Sequence, residues 1–396
     1  MRARFFGLAL TLVLTLVLSA CVKPPAPPVP PPPPQGLAEA SFADLPGWQD
    51  DALAEALPGL RLQCRRLALL PADTALGGTG LAQEYGGRAG QWSELCTAAQ
   101  SLAPEDSARA FFEHWFQPYR ITQTGLITGY FEPILQGARH QGGIYQTPVL
   151  ARPSDLVTGE GRDAQGRPVL GRRASGQVVP YYTRAQIEAG VLGAQARALV
   201  WLASPVDLFF AQMQGAALVR LTDGGLVRLA FDGRNGRPYT PIGKVLVAQG
   251  ALTAAEVSMQ TIRAWLDAHP DQAKALLDRN ESYVFFRYAG DPDTAFGPPG
   301  ALGVYLTAGR SAAVDKQFVP LGAPLFVDST IPDGRLWRHL VLAQDLGSAI
   351  LGPARLDVFF GTGAPAAEWA GRMRQSGTVY LLLPRAPAAR SAAEGL

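Results

Sequence analysis

The chain has 396 residues, of which 47% are hydrophobic and only 17% charged, with a formal net charge of +2. That balance marks a compact globular body, and the lack of a basic run argues against nucleic acid as a partner. With 43 glycines and 33 prolines, turn-rich β structure is favoured over helical bundles.

Arg2 and Arg4 precede an apolar run over 5–18 that is too short for a comfortable membrane span. The run ends in Leu18-Ser-Ala-Cys21. This resembles a bacterial lipoprotein signal over residues 1–20, cleaved before Cys21, which then carries the lipids. Residue 22 is Val rather than Asp. By the same resemblance, the protein is expected on the outer membrane, lipid-anchored and facing the periplasm. The leader holds two cations and no acid, so its loss leaves a balanced chain. Residues 24–34 contain nine prolines in eleven positions. Such a segment favours extended polyproline II, and at roughly 3.1 Å per residue it spans about 30 Å. Residues 21–36 therefore read as anchor and spacer, suited to an enzyme with a fixed, insoluble substrate or simply a passive linker.

Two cysteines remain beyond Cys21, namely Cys64 and Cys96. In an oxidising periplasm they most simply pair, a loop closure worth on the order of 3–4 kcal/mol; two buried thiols are the alternative. Acids in the first turn and apolar residues at helical spacing predict a helix over 104–116. Thr253-Ala-Ala-Glu256 reads as a capping box opening a helix toward His269, stopped by Pro270. Residues 364–375 read as a third helix. Short Val/Leu/Phe/Tyr runs at 143–150, 208–221, 225–231, 283–288, 324–327 and 379–383 read as strands of a barrel or sandwich.

Several motifs fail. His114, His140, His269 and His339 lack ligand spacing, so no metal site is expected. No Gly-x-Ser-x-Gly elbow appears. Gly361-Thr-Gly363-Ala-Pro-Ala366 matches the dinucleotide fingerprint, but no acid lies about twenty positions on.

Carboxylates and aromatic residues around glycines remain. Asp345 and Asp357 stand twelve residues apart around a Gly-rich turn. Alternation in 355–360 puts Leu356, Val358 and Phe360 on one face and Arg355, Asp357 and Phe359 on the other. A carboxylate beside an aromatic ring is partly desolvated, which raises its pKa and suits a proton donor at neutral pH. An edge-strand Asp paired with Arg355 is the plain alternative. Polar and aromatic clusters recur at Thr128-Gly-Tyr-Phe-Glu-Pro133, Phe209-Phe-Ala-Gln-Met-Gln-Gly215, Asn235-Gly-Arg-Pro-Tyr239 and Ser311-Ala-Ala-Val-Asp315. Pro133 keeps Glu132 extended.

In order and wording these pieces, with Asn280-Glu-Ser-Tyr-Val-Phe-Phe286, resemble the membrane-bound lytic murein transglycosylase A family. The resemblance runs from about residue 62 to 383. It implies a mainly β fold with few helices. A double-psi β-barrel catalytic domain would come from 37–133 plus 281–390, with an inserted β domain over 134–280 lining the glycan groove. It implies cleavage of the β-1,4 bond between N-acetylmuramic acid and N-acetylglucosamine with a 1,6-anhydro end, and no cofactor. The catalytic acid would be Asp357 and its supporting aspartate Asp345. Thr128, Tyr130, Glu132, Gln214 and Tyr239 would bind peptidoglycan strands. The chain departs at Ala216-Ala217, where the family has Ser-Gly, and at Ser348, which replaces a glycine. A two-carboxylate murein hydrolase and a non-catalytic glycan-binding wall module are the competing readings.

Overall fold

The computed structural model describes residues 35–103, 107–162, 168–290, 292 and 295–385. The expected signal, Cys21 and nearly all of the proline-rich spacer lie outside them. The fold is mainly β. Six strands form a barrel: β1 (Gly125–Glu132), β2 (Ser311–Val314), β3 (Pro324–Thr330), β4 (Leu336–Leu346), β5 (Arg355–Thr362) and β6 (Arg374–Pro384). Their order is β6-β3-β4-β2-β5-β1, and a β6–β1 pairing closes the ring. β2 runs parallel to β4 and β5 parallel to β1, while the other pairs are antiparallel.

Strict alternation builds the interior. Ile127, Ala312, Val314, Leu325, Val327, Leu356, Val358, Val379 and Leu381 fill it. Residues of opposite parity face outward. One sector of that outer face is covered by the N-terminal segment, where Trp48, Leu60 and Phe112 cluster with Phe326, Leu340, Tyr380 and Leu382. Asp51 fastens this cover. Arg310 grips its carboxylate with two nitrogens at 2.8 and 2.9 Å, and His339 and the Leu340 N–H approach at 2.9 and 2.8 Å. Burial pushes the Asp51 carboxyl up, but these partners outweigh it and hold the pKa at about 2. Cys64 and Cys96 form a disulfide, Cα atoms 5.2 Å apart.

β1 runs directly through Pro133 into a second, six-stranded sheet. Its order is Val284–Tyr288, Leu226–Arg234, Ala216–Leu221, Ile134–Ala138, Ala198–Leu202 and Thr147–Leu150. Helices Pro205–Gln214, Ile242–Ala248, Met259–Ala268 and Pro270–Leu277 join in a cluster with Phe209, Phe210, Leu246 and Leu266.

Several local expectations are corrected. Helices are more numerous than the few expected. The supposed strand over 208–221 begins as a helix, because Ser204 caps it, Pro205 opens it, and Gly215, at φ +77°, ends it before a strand starts at Ala216. The strand expected from 143 begins at Thr147. Thr253 and Glu256 do bond to each other, yet the helix starts only at Met259, capped by Ser258. Pro270 opens a new helix at its first turn rather than merely ending the old one. The helix expected over 104–116 spans Ala108–Trp115 behind a Ser107 cap, and residues 104–106 lie outside the described residues. The last helix stops at Arg372, since β6 takes Arg374 onward.

Replacing both Cys64 and Cys96 by Ser should lower stability by about 2–4 kcal/mol, read from denaturant melts. Non-reducing peptide mapping that finds both thiols free in native protein would contradict the bridge.

Candidate active site

The register sets four residues in one lateral row. Asp345 on β4 faces Ala313 on β2, Ala313 faces Asp357 on β5, and Asp357 faces Thr128 on β1. Paired residues point to the same side of a sheet. Ile127, Ala312, Leu356 and Val358 point into the barrel, so Thr128, Ala313 and Asp357 point out. Asp345 breaks its strand's alternation. Val341 and Ala343 face the interior, and strict alternation would bury Asp345 with them. The register shifts between the Ala312–Ala343 and Ala313–Asp345 pairs. Gln344 is the extra residue, and the resulting bulge turns Asp345 outward.

Gln344 is fully buried, and its polar groups are satisfied. Ser311 Oγ donates to its Oε1 at 2.7 Å, and its Nε2 donates to Gly59 O at 3.0 Å. Its carbonyl accepts from the Leu302 N–H at 3.0 Å. That loop approaches closely: a Cβ on Gly300 would lie 2.5 Å from Gln344 O. The same loop aims the Ala301 N–H at Asp345.

The two carboxylates have different surroundings. Asp345 Oδ2 accepts from the Tyr130 hydroxyl at 2.8 Å, and Oδ1 accepts from the Ala301 and Leu346 N–H groups, each at 2.9 Å. Asp357 Oδ1 accepts from the Thr128 hydroxyl. Its Oδ2 has no partner among the described residues. Tyr130, Phe359, Leu306 and Ile350 make an apolar cluster with Ala313, the residue between the two aspartates. Burial pushes Asp357 up to about 6 and the Asp345 charge pushes the same way, while Thr128 and Arg355 pull it down. Burial also raises Asp345, and its three donors pull back. The Tyr130 hydroxyl, buried beside Asp345, stays protonated. Asp357 thus offers an available proton near neutral pH, while Asp345 has no unoccupied oxygen.

The remaining candidates are placed differently. Gln214 Oε1 accepts from the Phe131 N–H at 2.9 Å, bringing the end of its helix to the end of β1. Glu132 is fully buried and paired with Arg228 at 2.7 Å, and Thr362 at the end of β5 donates to it at 2.8 Å. In this structure its carboxylate ties the barrel to the second sheet. Tyr239 is 42% exposed on a loop held by Asn235 and Asn280. No hydrogen bond or ring contact links it to the Asp357 row among the described residues. Ala216 and Ala217, where the resemblance led Ser-Gly to be expected, are buried. The Gly363 N–H of the dinucleotide-like turn is taken by Glu132 O at 2.8 Å. Gln344 and Ala301 carry no sequence signal; the register shift reveals the first and the hydrogen bond to Asp345 the second. A cavity of about 330 Å³ lies elsewhere, against the disulfide and Trp92.

A carboxyl titration of Asp357 by ¹³C NMR should show a midpoint near 6. Thr128→Val should raise it further, because the lost donor favoured the ionised form. An acid raised above its usual 3.8 supports the fold below that pH and loses this contribution as pH rises through about 6. At pH above 7, Asp357→Asn should therefore stabilise the fold, by about 1–3 kcal/mol. A midpoint near 4 with no gain in melting temperature would contradict the desolvated site.

Residues 126–287 match the family model described as the MltA specific insert domain, and residues 310–383 match the 3D domain. The membrane-bound lytic murein transglycosylase A of Escherichia coli strain K12 is 30% identical over 264 residues. That match covers 65% of this chain and 65% of the relative's length. The crystal structure of the membrane-bound lytic murein transglycosylase from Agrobacterium tumefaciens is 34% identical, with a TM-score of 0.77, covering 90% of this chain and 99% of that one. The structure of MltA from Neisseria gonorrhoeae is 29% identical, with a TM-score of 0.72, covering 88% and 92%. Among the described residues no helix is long and apolar enough to cross a membrane, and no cluster of His, Cys, Asp and Glu could hold a metal ion. With 126–287 and 310–383 matched and 90% of the chain shared with a solved relative at 34% identity, the chain belongs to the membrane-bound lytic murein transglycosylase A family.

Proposed function

We propose that this chain is a peptidoglycan lytic transglycosylase with Asp357 as its single acid/base. It cleaves the β-1,4 bond between N-acetylmuramic acid and N-acetylglucosamine and leaves a 1,6-anhydromuramoyl end. The observation that carries the reading is the contrast between Asp357, with one oxygen open, and Asp345, with both oxygens occupied. Asp357 gives its proton to the glycosidic oxygen as the C–O bond breaks. An oxocarbenium-like sugar remains. Its own C6 hydroxyl attacks C1 and returns a proton to Asp357. Holding that hydroxyl close replaces an activated water. Asp345 acts on Asp357 through its charge and through Tyr130.

A two-carboxylate hydrolase needs a second group to attack the sugar or activate water. The three donors on Asp345 leave it poorly suited to either. In the same reading the barrel is of the double-psi type, and 134–280 is an inserted domain that walls the glycan groove with Gln214 and Tyr239. Cys21 carries the lipid that holds the enzyme on the outer membrane.

Asp357→Asn should fold, bind glycan and lose about 10²–10⁴-fold or more in turnover of purified murein. Asp345→Asn should lose less and still form the anhydro product. Equal damage at both positions would favour the hydrolase. A folded Asp357→Asn enzyme cleaving at near wild-type rate would remove Asp357 from the chemistry.

A further inference from the structure

The lateral row does not stop at Thr128. On its other side Thr128 pairs with Arg374 of β6. The neighbouring Ile127–Gln375 pair belongs to the inward-facing set, and Met373 and Val379 lie in the interior. Arg374 therefore projects from the outer face that carries Asp357, two strands away, roughly 10 Å at the usual strand spacing. Arg355 lies on the same face, two residues before Asp357 along β5, roughly 7 Å away. Arg374 is exposed, and among the described residues it has no hydrogen-bond or carboxylate partner. Arg355 donates to the Leu126 carbonyl at 3.2 Å and to the Leu356 carbonyl, and it too lacks a carboxylate within salt-bridge distance. By contrast, Arg372, just upstream, pairs with Glu368 at 3.9 Å. The row thus runs from two acids to Arg374, and Arg355 lies beside it on the same face.

We infer that Arg374, flanked by Arg355, is a cationic subsite for a carboxylate carried by the glycan strand. This rests on the function proposed above and narrows it to substrates bearing acid substituents. The sugar backbone of such a strand is neutral. Its carboxylates sit either on the lactyl group of N-acetylmuramic acid or on a peptide attached to that group. A guanidinium on this face recognises either by charge-assisted hydrogen bonds. Arg374 is the better probe, because Arg355 also tunes Asp357.

The test is equilibrium binding of the intact protein by calorimetry to three ligands. These are neutral chitohexaose, peptide-free murein strands with free lactyl carboxylates, and peptide-bearing strands whose lactyl groups are amidated. Arg374→Gln should weaken binding about 5- to 10-fold for a carboxylate-bearing ligand, as for a partly solvated ion pair. Arg374→Lys should restore most of it, and high salt should shrink the difference. Loss on peptide-free strands assigns the lactyl group, and loss only on peptide-bearing strands assigns the peptide. An equal loss on chitohexaose, or no loss on any ligand, would overturn the subsite. If wild-type protein shows the carboxylate preference yet forms no anhydro product, the proposed reaction fails and the subsite stands. If it cleaves normally and Arg374→Gln binds unchanged, the subsite alone fails.

Discussion

One extra residue in a β-ladder governs the candidate site. Without Gln344 bulging from β4, Asp345 would follow Val341 and Ala343 into the barrel interior as an unpaired buried charge. With it, both aspartates share an outer face, separated only by Ala313. The bulge is secured from two directions. Ser311 and Gly59 hold the Gln344 side chain, and the loop at 300–302 caps its carbonyl. Because that loop also supplies a donor to Asp345, the device that aims the carboxylate also occupies it.

Desolvation then divides the labour. The Tyr130 and Phe359 rings pack together beside the row, yet among the described residues only Asp357 keeps an unpartnered oxygen. A raised carboxyl pKa opposes folding at neutral pH. The surrounding scaffold offsets that cost. Asp51 locks the N-terminal cover to the barrel through Arg310, and the disulfide ties together the helices in that cover. Glu132 and Arg228 form a fully buried pair where the two sheets meet. Removing one partner of such a pair leaves an uncompensated charge, so this joint resists change. It holds the end of β1 in place beside the row.

Much of this was legible in the sequence, unevenly and for identifiable reasons. Alternation over 355–360 correctly put Leu356 and Val358 inside and Asp357 beside Phe359, because a strand's period is fixed by its backbone. The two cysteines paired as compartment chemistry suggested. The family was legible from ordered motifs around glycines. Alternation could not place Asp345, since one inserted residue inverts every later position on the strand. The helix at Pro205–Gln214 was hidden because Phe209 and Phe210 read equally as strand, and the deciding signals were its Ser204 and Gly215 caps. Glu132 read as a groove residue, because no local pattern reveals that Arg228, far along the chain, takes both its oxygens. Arg355 was legible beside Asp357 by the same alternation, whereas Arg374 reaches that face only through the strand pairing that closes the barrel.

In the proposed reaction one acid suffices because the sugar's own hydroxyl attacks. The most direct measurement is mass spectrometry of murein fragments released in ¹⁸O-enriched water. The proposed reaction leaves 1,6-anhydromuramoyl ends with no ¹⁸O at the cleaved position. Reducing ends carrying ¹⁸O would contradict it, since they would show that water, activated by a second group, had attacked the sugar.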